Sequence, residues 1–556
     1  MKRYHWLGLV VLVYGICTGC GETFRPIIIP NPPVFPNPKG AHTVLSINDN
    51  GTAVAGTAMV IDVSGDTNIS VGNVGLAPVH AVQQTATQVL VLNRSVPGPL
   101  NTGDSITKLD FQNLVIISPA TISLPSNSEP NFIAAAPSSS VAYVTLPNYV
   151  PDPTSGTVVP SVGVVSTNAN NLQNTATVGS NPVGLAVTPD NTKLYVANQG
   201  DGTISAFNIV STDNLSPRGV NGSLSSPPIW LSPRSDSQMV YVLEASGTLA
   251  SITIASTAGP DTLAESTVNV PLATTMTYDS NLNRLYIAGG NPGSPELVIV
   301  DVSQSAPTLL ATIPIPPFVL GPSSVPATAV AATALPDGTR AYVASYAKLP
   351  SQVNISSISS DGTTATYAYT LTSGHDLTSG VSVTISGITG MGLTEFNGTF
   401  IVEAVVSGTA ACPGTCFQVP NVEMLSSTAV SATASGTNIF PQVTAVWVSS
   451  NTIKTTVGMP GFPDATDQST PEYYAPVCAV PPVGTPYRAT FRFMMASGGD
   501  SSRAYMSSCD GGLVDIIDTT NDTYFLNVPA PVGTRAPIPP SPLNPPQNPV
   551  FLLAGP

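Results

Sequence analysis

One short hydrophobic pattern recurs seven times along this chain, and that recurrence limits the folds open to it more than any other feature. The copies are "VLVLNRS" from Val89, "AYVTLPN" from Ala142, "LYVANQG" from Leu194, "VYVLEAS" from Val240, "LYIAGGN" from Leu285, "AYVASYA" from Ala341 and "AYMSSCD" from Ala504. The first six start roughly every fifty residues, and the last interval is longer by about two repeats, a period that belongs to solenoids and propellers.

The fullest copy is "NPVGLAVTPDNTKLYVANQGDGTISAFNI", residues 181–209. Two apolar runs flank a Pro189-Asp190-Asn191 turn and a third follows Gly200-Asp201-Gly202, the turn chemistry that sets strands antiparallel. Other copies repeat the plan with "TLASITI", "ELVIVDV" and "GLVDIID" as third strands, and "TATV" or "ATIPI" segments supply a fourth. Leu194, Tyr195, Val196 and Ala197 are all apolar, whereas a sheet with one wet face would alternate. Each repeat is therefore expected to be a four-stranded sheet buried on both sides, with Ala197, Ala288 and Ala344 letting neighbours approach closely.

These residues resemble the repeat of YVTN-type β-propellers, which include YncE-like, surface-layer and lactonase-like proteins. The resemblance covers most of residues 41–350 and 444–528. It implies an all-β chain folded as a seven-bladed β-propeller. An eighth blade stays open because "GTAMVIDVSGDTNISVG", Gly56 to Gly72, offers two more strands, which are expected to close the ring against the last blade. It also keeps open a lactonase-like or quinoprotein-like enzyme as the alternative to a binding protein.

Residues 351–443 interrupt the pattern. The stretch "SGHDLTSGVSVTISG" followed by "FNGTFIV" is similar to a small β-module of phage-tail and bacterial surface proteins, with Asp376 in place of the usual Gly after His375. "AYVAS" and "TAVWVSS" read as the second and third strands of blade six, so an inserted all-β domain is expected between them, projecting from one face as an adhesive or spacer element.

The ends carry targeting information. Lys2 and Arg3 precede an apolar run, Trp6 to Ile16, that is shorter than the ~20 residues needed to span a bilayer. Thr18-Gly19-Cys20 resembles a lipobox, although Cys17 stands where Leu is usual. Residues 1–20 are read as a lipoprotein signal peptide and Cys20 as the lipidated residue, which implies a membrane anchor in the cell envelope at the outer membrane. Residues 21–40 form a Pro-rich tether, and residues 529–556 a Pro-rich tail, surface-draped or mobile.

Composition narrows the partners. Lys and Arg total 17 against 32 Asp and Glu, a formal net charge of -15, so nucleic acid is an unsuitable partner. After the leader only His42, His80 and His375 remain, too scattered for a metal centre or a nucleophile-base pair. Cys412, Cys416, Cys478 and Cys509 are an even set in an exported chain, read as Cys412 with Cys416 and Cys478 with Cys509. Asp190, Asp337, Asp500 and Asp510 are read as turn residues, and "NDNG" at Asn48–Gly51 lacks the later acid of a calcium loop. No catalytic, cofactor-binding or metal residue is assigned. The expectation is a monomeric binding or scaffold protein with a protein or polysaccharide ligand.

Overall fold

The computed structural model describes residues 42–555 apart from 52–53, 95–102, 137–138, 212, 257–258, 321–322, 379–380, 410–411, 465–477, 479–490 and 534–545. Residues 1–41, which hold the expected signal peptide, Cys20 and the expected tether, lie outside the described residues. What is described is almost entirely β, with a single short 3-10 turn at Thr394–Phe396.

Each of the seven sequence copies is the second strand of a blade of four antiparallel strands, to which blade four adds a short parallel edge strand, Val220–Asn221. In blade three the strands are Pro182–Val187, Lys193–Asn198, Thr203–Ser211 and Asn214–Arg218, running from the centre of the ring outward. Leu194, Tyr195, Val196 and Ala197 are fully buried, because each blade is sandwiched between two others. Leu194 and Val196 pack with Tyr143 and Val164 of blade two, while Tyr195 and Ala197 turn toward Leu231 and Val240 of blade four. Ala288 and Ala344 are likewise buried at blade interfaces.

The seven blades built from the copies are joined by one further sheet of the same order, the additional blade that the strands at Gly56–Gly72 left open. Its inner strand is Asn548–Gly555, followed outward by Thr43–Asp49, Thr57–Asp62 and Thr67–Asn73. Two expectations are corrected here. The Gly56–Gly72 strands do not pair with the last blade; they belong to their own sheet, packed beside blade seven through Val44, Met59 and Ile61 against Tyr505, Val514 and Ile516. The last residues of the Pro-rich tail are not surface-draped: Val550 is fully buried, and Phe551 and Leu552 are nearly so. Pro549 is tolerated because an innermost strand keeps one edge unpaired toward the axis, where a missing N–H breaks no ladder bond.

Blade six carries the long interval. Its second strand, Arg340–Asp361, and third, Met424–Trp447, stay paired from Arg340↔Trp447 out to Asp361↔Met424. The inner parts complete the blade with Thr328–Ala334 and Thr452–Gly458. The outer parts extend roughly 45 Å beyond it, at a rise of about 3.3 Å per residue, and carry Thr364–Gly374, Ser382–Ser386, Gly398–Ile401, Ala404–Thr409 and Cys412–Pro420. This arm has its own core around Tyr367, Phe396, Phe417 and Val419, with the Tyr367 and Phe417 rings stacked at 4.9 Å.

Buried polar latches join the blades. Asp261 of blade four accepts hydrogen bonds from Tyr195 Oη (2.7 Å) and from Arg218 Nε and Nη2 (2.8 Å each), both on blade three. Asp522 of blade seven receives Arg340 and Tyr342 of blade six, and Asp66 of the closing blade receives Arg503 of blade seven at 2.9 Å with Tyr505 beside it. In each case a Tyr on a second strand reaches an Asp at the third-to-fourth turn of the next blade.

Two outcomes test this architecture. Removing residues 546–556 exposes the inner edge of the closing blade and the apolar surface that Val550, Phe551 and Leu552 cover; at about 1.5–3 kcal/mol per side chain the loss is about 5 kcal/mol or more, read as a lowered denaturant midpoint and faster proteolysis. Asp261→Ala strands the Arg218 guanidinium and should cost about 3–5 kcal/mol, against about 1 kcal/mol for Tyr195→Phe; the reverse ranking in chemical denaturation would discredit the latch.

Candidate functional site

Antiparallel blades sort their connections onto two faces. First-to-second and third-to-fourth turns share one face, such as 188–192 and 519–522, and they are short. Second-to-third and blade-to-blade connections share the other. That face carries the arm, the connection 147–160 and the described ends of the connections 94–104, 315–327, 459–492 and 530–547. Thr43, where the described body begins, starts a second strand and so lies at the opposite, turn-bearing face.

On the turn face the Asp residues do local work. Asp190 Oδ1 accepts from Thr188 Oγ1 (2.6 Å) and Thr192 N (3.1 Å), Asp337 Oδ1 from Thr339 N (2.9 Å) and Asp500 Oδ1 from Ser502 N (2.9 Å). Asp510 also stands in a turn, the one between the second and third strands of blade seven, but it has a further role. Its carboxylate takes Arg492 Nε at 2.8 Å and Nη2 at 2.7 Å. Arg492 also bonds Asp464, which pairs with Lys348 at the root of the arm, and its guanidinium lies over the Tyr346 ring at 5.2 Å. One network thus ties the arm, the connection into blade seven and the mouth of the ring together. Gln442 Nε2 donating to Pro316 O at 2.7 Å and Phe318 against Phe440 brace the arm's other side.

The middle of the ring is filled by aromatic rings drawn from five blades. His80, Phe132, Trp230, Phe491 and Phe551 contact one another in a closed circuit, with centroids 3.9 Å apart for His80–Phe132, 4.3 Å for His80–Phe551, 5.4 Å for Phe132–Trp230 and 6.0 Å for both Trp230–Phe491 and Phe491–Phe551. Cys478 and Cys509, disulfide-bonded to each other, pack into the same cluster, and Asn548 Nδ2 donates to Cys509 O at 2.7 Å. No sequence signal could have assembled this circuit, because each ring comes from a different repeat and the contacts are set only when the blades close.

Burial moves two titratable groups. His80 has no hydrogen-bond partner on either ring nitrogen, and desolvation holds its pKa down to about 3. Asp515, on the third strand of blade seven, accepts only from Ser508 Oγ at 3.2 Å, and desolvation raises it to about 7. The remaining sequence candidates lie apart. His42 stands exposed just before the second strand of the closing sheet, and His375 lies in the arm. Cys412 and Cys416 are disulfide-bonded within the arm, and Asp376 accepts from Tyr369 Oη at 2.5 Å and Leu377 N at 3.0 Å. Among the described residues no three His, Cys, Asp or Glu side chains come together as a metal site. An open cleft of about 640 Å³ lies between the closing blade and blade one on the arm-bearing face, lined by Asn73, Leu76, Asp104, Thr107, Thr121 and Ser123.

The two shifted groups pull stability in opposite directions with pH. Unfolded His80 binds a proton below about 6.5 that the folded form refuses, so its contribution is lost as pH falls from about 6.5 to about 3. Folded Asp515 keeps a proton that the unfolded form releases above about 3.9, so its contribution is lost as pH rises from about 4 to about 7. Denaturant midpoints between these limits should therefore fall more steeply on acidification in Asp515→Asn than in the parent, and rise on acidification in His80→Phe. Identical pH profiles in both variants would contradict the burial of these groups.

No family model matches the sequence, and no curated protein matches it. Solved structures do. Apo AztD from Citrobacter koseri aligns with a TM-score of 0.45 at 9% identity, covering 92% of this chain and 97% of that one. A putative 6-phosphogluconolactonase from Bacteroides fragilis aligns with a TM-score of 0.39 at 12% identity over 56% of this chain and 91% of that one. The periplasmic gluconolactonase PpgL from Pseudomonas aeruginosa gives 0.38 at 13% identity over 55% and 92%. These are likenesses of chain path, and no residue role is carried over from them.

Proposed function

We propose that the protein is a binding or scaffold protein of the cell envelope, held at a membrane through a lipid on Cys20, and that it engages a protein or polysaccharide partner through its arm-bearing face. The observation that carries this reading is the division of labour between faces. The long connections, the open cleft and the arm share one face, while the chain reaches Thr43 on the other. A tether of residues 21–40 can extend about 70 Å at most, enough to hold the turn face toward a membrane and the arm away from it. Loops grouped around a rigid ring suit recognition without any special residue.

Charge adds a constraint on the partner. Arg94, Arg218, Arg234, Arg340, Lys348, Lys454, Arg492 and Arg503 all stand in ion pairs with the protein's own carboxylates. The surface offered to a partner is thus weighted toward carboxylates, which disfavours anionic polymers. The lactonase-like or quinoprotein-like alternative calls for polar groups converging at the ring's centre, where this chain places aromatic packing around His80.

The test is directional. A photo-crosslinking residue at Ser246, on the arm-bearing face, should capture an envelope component in cells, and one at Thr192, on the turn face, should not. Cys20→Ser should move the protein from the membrane fraction to the soluble one. Equal capture from both positions, capture from neither, or membrane retention of the Cys20→Ser variant would overturn the reading.

A further inference from the structure

The distal end of the arm is built as an interaction surface. Three connections meet there: the turn 361–364, the 3-10 turn Thr394–Phe396 with the loop before it, and the loop 421–423. Asn421 knits them, its backbone N–H donating to Thr363 O at 3.1 Å and its Nδ2 to Glu395 O at 3.4 Å. On this braced end Met391 is completely exposed, Val422 is 85% exposed and Met424 80%. These are the three most exposed large apolar side chains among the described residues: Met424 ends the ladder opposite Asp361, Val422 lies in the adjoining loop, and Met391 lies in the loop that leads into the 3-10 turn.

Their surroundings are one-signed. Residues 351–443 contain no Lys or Arg and five acids, Asp361, Asp376, Glu395, Glu403 and Glu423. Asp361, Glu395 and Glu423 stand exposed at the tip itself. The aromatic residues of the arm, by contrast, are withdrawn: Tyr367, Tyr369, Phe396, Phe400, Phe417 and Phe440 are all buried. Sugars are held by stacking on exposed rings and by polar hydrogen-bonding groups, so a tip of Met and Val suits them poorly. Met, unbranched and adaptable, is enriched where proteins meet. An anionic lipid surface is opposed by the acids.

From this we infer that the arm's tip docks a protein whose surface carries an apolar depression rimmed by Lys or Arg, with Met391, Val422 and Met424 as the inserted side chains and Asp361, Glu395 and Glu423 as their charged border. The inference rests on the reading of the arm-bearing face as the binding face and narrows its partner to a basic protein surface. Charge complementarity at the border steers approach and fixes orientation, and burial of the apolar centre holds the complex.

The test uses two synthetic peptides of equal charge, an amphipathic Leu/Lys helix and its Ser/Lys counterpart, titrated against the purified protein. The Leu/Lys peptide should bind about tenfold more tightly or better. The combined variant Met391→Ser, Val422→Ser, Met424→Ser should lose that preference while leaving Ser/Lys binding and the melting temperature as they were. Glu395→Gln with Glu423→Gln should weaken both peptides and flatten their salt dependence. Retention of the Leu/Lys preference by the Ser variant, or equal binding of the two peptides by the parent protein, overturns the inference. Capture from Ser246 in cells reports separately: if it persists while the peptide preference fails, only the tip is misassigned, and if it is absent the broader reading fails with it.

Discussion

Two-sided burial of the second strands is the constraint from which the rest of this molecule follows. A sheet whose Tyr195 and Val196 point to opposite faces, both fully buried, cannot stand alone or face water on either side. It must have a neighbour on each flank, and that neighbour has the same need. A linear stack leaves two unsatisfied ends; a ring leaves none. The buried Tyr–Asp–Arg latches at three interfaces add orientation to what is otherwise non-directional packing, because each Asp must meet both a hydroxyl and a guanidinium from the preceding blade. Their net contribution to stability is modest, since burying charges costs nearly what pairing them returns. Their effect is to fix how far each blade is rotated against the next.

Ring closure also decides where variation can occur. Turns 188–192 and 335–339 each place an Asp backbone N–H beside a Ser hydroxyl of the next blade, Ser237 for Asp190 and Ser501 for Asp337. Insertions there would break contacts between blades. The opposite face also ties neighbours together, as where Arg94 of blade one meets Glu129 and Asn131 on the way into blade two, but there blade six continues two of its own strands outward as a paired ribbon. An arm whose ladder runs regularly through its root, from Arg340↔Trp447 to Ile355↔Ala432, does not hinge there in the way an arm on a loop would, and the Arg492–Asp464–Lys348 network stiffens it further. A rigid arm delivers whatever its tip recognises at a set distance from the ring.

The sequence made the blades legible because their signal is local. Each strand pair is joined by a few turn residues, and two-sided burial is written in the runs themselves. The two middle strands of blade six were legible for the same reason, since "AYVAS" and "TAVWVSS" keep blade texture although some ninety residues separate them. What was not legible depends on residues far apart. The strand Asn548–Gly555 pairs with Thr43–Asp49 across nearly the whole chain, and its Pro-rich approach masks a run, "VFLLAG", that carries strand propensity on its own. The aromatic circuit at the centre draws one ring from each of five blades, and nothing in "PVHAV" or "PIWLS" announces that His80 and Trp230 will share one cluster. Asp510 reads only as a turn acid until Arg492, eighteen residues away, is placed against it.

The distribution of charge links the architecture to the choice of partner. The chain has 17 basic residues, and most of those described are tied to carboxylates or backbone carbonyls: Arg234 bonds Val302 O and Arg284 bonds Val448 O, each on the following blade. Long basic side chains are suited to this because they cross an interface and still end in several donors. Using them as cement leaves the outer surface with an excess of acids, and residues 351–443 of the arm, which need no cross-blade ties of that kind, contain no Lys or Arg. The negative field at the arm is therefore a consequence of how the ring is held together. A partner must meet it with positive charge, and the exposed large apolar side chains Met391, Val422 and Met424 set what else that partner has to provide.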